Sequence, residues 1–197
     1  GVAGLEAGNP AGGAFHCRFS RTVEVADLDG EKLLKFLDQG GRQRLAADRD
    51  AALGRIKAGT DYAAFSDCDL VIEAAVEDEA VKKTVYAEVL PHLGPNALLA
   101  TNTSSISITR LASSTDRPDR FIGLHFMKPA PVMKLVEIIR GIATSAETHS
   151  AAVAFAESLG KTTTDAEDFP AFIVNRILVP MMNEAIFALY EGVGNVA

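Results

Sequence analysis

Tryptophan is missing from these 197 residues, and aromatic residues of all kinds make up only 7%. Cysteine is reduced to Cys17 and Cys68, which fit neither a disulfide framework nor a metal-ligand spacing. That scarcity suits a reducing compartment, and the expected location is the cytoplasm. Positive charge is also short: 19 Lys and Arg face 26 Asp and Glu, a net charge of −7. Phosphate backbones are gripped by clustered Lys and Arg, so no nucleic-acid partner is expected. No run reaches the roughly 18 apolar residues of a membrane span, and no leader with a basic start and apolar middle is visible. A membrane partner is therefore not expected either. What is there is a globular composition, 48% hydrophobic, enough for one ordinary domain and an appendage.

The most informative stretch is Phe121 to Ile139, FIGLHFMKPAPVMKLVEII. One apolar β-type run carries a single histidine, His125, and a second carries a single acid, Glu137. Between them Pro129 and Pro131 break regular pairing and force a connection. An imidazole that meets a carboxylate is held in one tautomer and becomes a better proton acceptor. A satisfied core histidine and a strand-end glutamate would give the same pattern.

At the start, VAGL reads as a short strand, EAGNPAGG as a glycine-rich turn, and Thr22 to Ala26 as a second strand ending at Asp27. Gly8 precedes Asp27 by 19 residues, close to the spacing of a dinucleotide-binding βαβ unit. In that register Gly8 and Ala11 would face a pyrophosphate, and Asp27 the adenosine ribose. Asp29 is the rival acid, but the Gly30-Glu31 that follows gives it the look of a helix N-cap. The register also puts Glu6 where the first glycine belongs, which adds charge and bulk to a tight turn.

Residues 30–57 are expected to be helical, with Leu33, Leu34 and Leu37 apolar and a charged run after Gly40-Gly41. Leu70 to Ala75 has the character of a buried parallel strand, with Glu73 inside it. The helix after it should turn Val81, Val85, Val89 and Leu90 inward. Leu98 to Ala100 is a further strand, opening into TNTSSIS, a natural helix cap and also the place where open parallel sheets put ligand loops. Arg120 to Phe126 and Leu135 to Ile139 are strands, Ala146 to Leu159 a helix, and Lys161 to Thr164 a last short strand. Beyond Pro170 the character changes, and FIVNRILVPMMNEAIFALYEG, from Phe172, reads as a long apolar-rich helix that Pro180 should kink. It reads as the opening of a second domain whose remainder is absent.

Four stretches in fixed order, DLVIEAAVED, TNTSSISI, RFIGLHFMKPAPVMKLVEII and DFPAFIVNRILVPMMNEA, resemble the L-3-hydroxyacyl-CoA dehydrogenases, in particular the 3-hydroxybutyryl-CoA branch. The resemblance runs from about Ser66 to Gly192 and is weaker before that. It implies an α/β fold: a doubly wound, mainly parallel Rossmann-type sheet over residues 1–169. Residues 170–197 would then be the first helix of an all-helical C-terminal domain. The implied activity is NAD-dependent 3-hydroxyacyl-CoA dehydrogenation, on short acyl chains by analogy, in a homo-oligomer when the helical domain is present.

By the same resemblance His125 is the catalytic base and Glu137 its carboxylate partner. Ser104 and Asn175 contact the reacting oxygen or the thioester region of the substrate. Glu77 and Lys82 line the nicotinamide cofactor site, with Asn102 and Lys128 beside it, and no metal is implied. Read from the residues alone, a serine such as Ser104 is more often a cap than a catalyst, and Glu77 and Lys82 read equally as an exposed surface pair at the start of a helix. Lys128 departs from the usual Asn, Ala171 from the usual Gly after Pro170, and the segment from Asp27 to Leu70 is shorter than usual. A dehydrogenase of a free hydroxy acid or sugar acid, or a catalytically idle homologue, are the alternative readings.

Overall fold

The computed structural model describes residues 23–26, 56–59 and 61–195. Gly8, Ala11, Asp27, the glycine-rich turn and most of the first expected helix lie outside the described residues. Strands β1 (Val23–Ala26) and β2 (Ile56–Gly59) pair in parallel. The helix expected to run through Lys57 is therefore corrected at its end: Ile56 and Lys57 pair with Val23 and Glu24 instead. A parallel ladder satisfies their backbone groups, and the ladder prevails over the helical look of the charged run.

Five further strands form one sheet in the order β3 (Leu70–Glu73), β4 (Leu98–Thr101), β5 (Phe121–Phe126), β6 (Leu135–Arg140), β7 (Thr162–Glu167). All neighbours are parallel except β5 and β6, which are antiparallel. Helices α1 (Glu79–Val89) and α2 (Ile108–Ala112) lie in the connections on either side of β4. Helix α3 (Ala146–Ser158) joins β6 to β7, and α4 (Val174–Tyr190) follows β7.

The central strands β4, β5 and β6 are buried on both faces, which is why they read as nearly continuous apolar runs, while the edge strand β7 is largely exposed and polar. Tyr86, Val89, Leu99, Ile108, Leu111, Phe121 and Ile139 form one cluster. Ala100, Ile122, Leu124, Val136, Ile138, Ala152 and Ala156 form the other. The two-residue period of a strand sorts β5 between them, Phe121 to one side and Ile122 and Leu124 to the other. By that alternation His125 shares the face of Phe121, and Glu137 that of Ile139. Gly123 lies on the same face, where a Cβ would come within 2.8 Å of Ile108 Cδ1 and 3.0 Å of Ile139 Cβ. A larger residue there would force the Ile108 side chain of α2, and Ile139, to shift.

The inward face of α1 differs from the valine stripe read in the sequence. Lys82, Tyr86 and Val89 are buried, while Val81 is exposed. The cause is Glu73, a buried carboxylate that needs donors more than the sheet needs another valine. In α3 the buried positions are Thr148, Ala152 and Ala156, and Leu159 is exposed. Helix α4 starts at Val174, two residues after the expected Phe172, and contains Pro180.

Candidate active site

Antiparallel pairing places His125 and Glu137 opposite one another in the ladder. Their side chains meet: His125 Nδ1 is 2.7 Å from Glu137 Oε2, with the imidazole 5% and the glutamate 0% exposed. A carboxylate oxygen only accepts, so Nδ1 donates and Nε2 of the neutral ring is left as the acceptor. That nitrogen lies 3.1 Å from the Ser104 hydroxyl. The Phe172 ring packs on the imidazole with centroids 5.7 Å apart.

Ser104 comes from the loop between β4 and α2. Ser107, not Ser104, caps α2 by accepting from the Arg110 amide. Ser104 is thereby free of capping duty. Its loop is shaped by Glu77, whose Oε1 accepts from Thr103 Oγ1 at 2.6 Å, from the Ser104 and Ser105 amides at 2.8 and 2.9 Å, and from Ser105 Oγ at 2.9 Å. Burial raises the Glu77 carboxyl, but these donors and the Lys82 charge outweigh it, and the net direction is down.

Lys82 is not half of an exposed pair. It is 0% exposed, with Nζ 2.7 Å from Glu73 Oε1 and 3.9 Å from Glu77 Oε2. The second Glu73 oxygen accepts from Tyr86 Oη at 2.9 Å and Thr101 Oγ1 at 2.7 Å. Burial, and then the Glu73 charge, push the Tyr86 phenol up, so it stays a donor. Asn102 Oδ1 accepts from the Phe126 amide at 2.8 Å and joins the end of β4 to that of β5. Lys128 is exposed in the β5–β6 connection. Asn175 sits half-buried in the first turn of α4. The structure thus gathers His125, Glu137, Ser104, Asn102 and Glu77 at one end of the sheet.

Asp168 was not singled out in the sequence. It accepts from the Ile108 amide at 2.7 Å, the Thr109 amide at 2.8 Å and Ser107 Oγ at 2.8 Å. Burial raises its carboxyl, yet these donors prevail and hold it below the usual aspartate range. An acid immediately before the Phe-Pro that precedes a helix was the available signal.

A family model described as "3-hydroxyacyl-CoA dehydrogenase, NAD binding domain" matches residues 21–169. The chain belongs to the 3-hydroxyacyl-CoA dehydrogenase family. It is 61% identical over 145 residues to a 3-hydroxybutyryl-CoA dehydrogenase of Bradyrhizobium diazoefficiens, covering 74% of this chain and 50% of that protein. Among solved structures it resembles FadB2 of M. tuberculosis, with a TM-score of 0.82, 37% identity and coverage of 90% of this chain and 67% of that one. It also resembles the (S)-3-hydroxybutyryl-CoA dehydrogenase PaaH1 of Ralstonia eutropha, with a TM-score of 0.74, 45% identity and coverage of 84% and 58%. The chain spans about half the length of the first of these relatives.

The matching family domain is an NAD-binding one, and NAD is the cofactor. The hydrogen-bonding groups at the carboxyl ends of β3 and β4 fit the carboxamide and ribose hydroxyls of its nicotinamide end. Exposed backbone at 74–77, the Asn102 amide and the Ser104 hydroxyl offer neutral hydrogen-bonding groups there. Lys82, spent on Glu73, reaches this region through Glu77 and Ala75, whose carbonyl lies 3.4 Å from Nζ. Among the described residues no helix is long and apolar enough to cross a membrane, and no cluster of His, Cys, Asp and Glu could hold a metal ion.

Proposed function

We propose that this protein interconverts an L-3-hydroxyacyl-CoA and the 3-ketoacyl-CoA, in the manner of the 3-hydroxybutyryl-CoA dehydrogenases it resembles. The supporting observation is the line Glu137–His125–Ser104, two contacts of 2.7 and 3.1 Å that leave one imidazole nitrogen as an acceptor at the mouth of the site. NAD, when bound, supplies the hydride acceptor. The protein's own residues manage the proton. His125 Nε2 takes the hydroxyl proton as hydride leaves the carbon, and Glu137 stabilises the resulting imidazolium. Ser104 donates to the oxygen as it becomes a carbonyl, and Asn175 contacts the oxygen or the adjoining thioester. In the reverse direction the imidazolium returns the proton.

Gly8, Ala11 and Asp27 hold the pyrophosphate and adenosine ribose in this reading, and Glu77, Lys82, Asn102 and Lys128 frame the nicotinamide end. Residues 1–169 act as the dinucleotide-binding domain. Residues 170–197 open a helical unit, a reading supported by the exposure of Ile177, Met181, Ile186 and Phe187 along α4. That unit would bring the homo-oligomer contact of the family. The acyl chain is short and the compartment cytoplasmic, the former by likeness to the 3-hydroxybutyryl-CoA enzymes and the latter from the cysteine content.

The test is NADH absorbance with acetoacetyl-CoA as substrate. Turnover with the thioester and none with free acetoacetate is the expected result. His125→Gln should abolish turnover and leave NADH affinity intact. Full activity of that variant sinks the assignment of the base.

A further inference from the structure

Helix α4 has no buried residue, so burial of its own side chains does not fix where it points. Its first turn is instead held by polar contacts. Glu137 Oε1, the oxygen that does not touch His125, accepts from the amides of Ile173 and Val174, both at 2.9 Å. One carboxylate therefore joins the imidazole to the start of α4, and the positive end of that helix favours its charge.

A second carboxylate holds the other end of the same connection. Asp168 reaches the Ile108 and Thr109 amides and the Ser107 hydroxyl at the start of α2. Between the two anchors the backbone takes an unfavourable path, with φ of 68° at Ala171 and 50° at Phe172. Left-handed geometry strains a non-glycine residue, because its Cβ comes too close to the following carbonyl oxygen. It persists only where the surroundings enforce it. The enforcing contacts are the two carboxylates and the Phe172 ring, 3% exposed and packed on His125.

We propose that Asp168 is a positioning residue: together with Glu137 it clasps the strained connection 169–173 and so sets α4, and with it Asn175, against His125 and Ser104. The inference rests on the roles given above to His125 and Asn175. Asp168 touches the segment that follows Ser104 and lies on the segment that precedes Asn175. It is thus the one side chain of the pair that ties these two segments directly to each other.

Two readouts on the full protein test this. The first is amide hydrogen exchange in Asp168→Asn, which keeps size and one acceptor but sets an NH2 group against donors. Exchange at Ile173 and Val174 should quicken at least tenfold while the amides of β5 and β6 stay protected. Should Asp168→Asn lose protection throughout, Ser107→Ala removes one donor to Asp168 together with the acceptor of the Arg110 amide, and it should quicken the same two amides of α4 to a smaller extent. Unchanged exchange at Ile173 and Val174 in the folded variant overturns the clasp.

The second readout is the single-turnover hydride rate per NADH bound, which a loss of folded protein alone does not move. Asp168→Asn should slow it about tenfold, and adding Asn175→Ala should slow it no further than the worse single variant. Additive losses overturn the coupling. If Asn175→Ala alone keeps the full rate, the role of Asn175 fails, and the exchange result still judges the clasp.

Discussion

Lys82 and Glu73 are an ion pair with scarcely any water around it, Nζ to Oε1 at 2.7 Å and side chains 1% and 2% exposed. It stands directly beneath the loop that carries Glu77, so its integrity bears on the site above. Removing one member leaves a buried charge without its partner. Lys82→Met should cost about 3–5 kcal/mol in chemical denaturation. The double variant Lys82→Met with Glu73→Gln should recover much of that loss. A single variant as stable as wild type would show that the pair is dispensable.

Ser104 is free of the capping role that its sequence context suggests, because Ser107 holds the Arg110 amide. Ser104→Ala should therefore change stability by no more than about 0.5 kcal/mol, the usual range for a residue outside any structural feature. It should still lower kcat by about 10²-fold, the loss expected for one removed donor at a developing oxyanion. Comparing melting curves with steady-state rates separates the two effects. A large fall in stability at unchanged kcat would return Ser104 to a structural role.

Glu137→Gln replaces an acceptor beside Nδ1 with a group that offers an amide nitrogen or a weaker oxygen. Turnover should fall by about 10²-fold or more, within the span of general acid–base effects. Because the same side chain caps α4, the melting temperature should fall as well. Wild-type turnover in this variant would remove the carboxylate from the proton path.

Gly123→Ala places a methyl group within 2.8 Å of Ile108 Cδ1 and 3.0 Å of Ile139 Cβ. The expected penalty is about 1–3 kcal/mol, as for other overpacked cores. Ile108→Val in the same chain should relieve part of it. Equal melting temperatures for wild type and Gly123→Ala would show that α2 can move aside.

Asp168 has a native pKa below the usual aspartate value of 3.8. A depressed carboxylate contributes stability that is complete above the unfolded value and is lost as pH falls through the folded one. Stability should therefore begin to fall as pH drops below about 5, where the unfolded carboxyl starts to take up its proton, and keep falling until pH passes below the folded value. In Asp168→Asn the same descent should be shallower. Identical pH dependence in the two proteins would mean that the carboxylate is not ionised in its hydrogen bonds.

Much of this arrangement was legible in the sequence, for identifiable reasons. His125 and Glu137 stood alone in apolar strands, and a charge or ring nitrogen in such a setting needs a partner. The turn between them, marked by Pro129 and Pro131, allowed the two runs to be neighbours. The network around Glu73 was less legible. Glu73 was seen inside a buried strand, but the valines of α1 masked the fact that Lys82 and Tyr86, one turn apart, face inward to meet it. Asp168 escaped because its partners are backbone amides some 60 positions away, which leave no imprint on composition or periodicity. Ile56 and Lys57 misled because a four-residue parallel strand lying after a charged run has too little pattern of its own.

The reversal at β6 has a consequence for inheritance. In an otherwise parallel sheet, adjoining strands are linked by long crossovers and their side chains come from distant parts of the chain. Here the imidazole and its acid lie 12 positions apart on a single antiparallel ribbon. A duplication, graft or recombination event that moves Phe121–Arg140 carries the whole pair at once. The flanking segments that grip nucleotide or acyl group can then diversify around it.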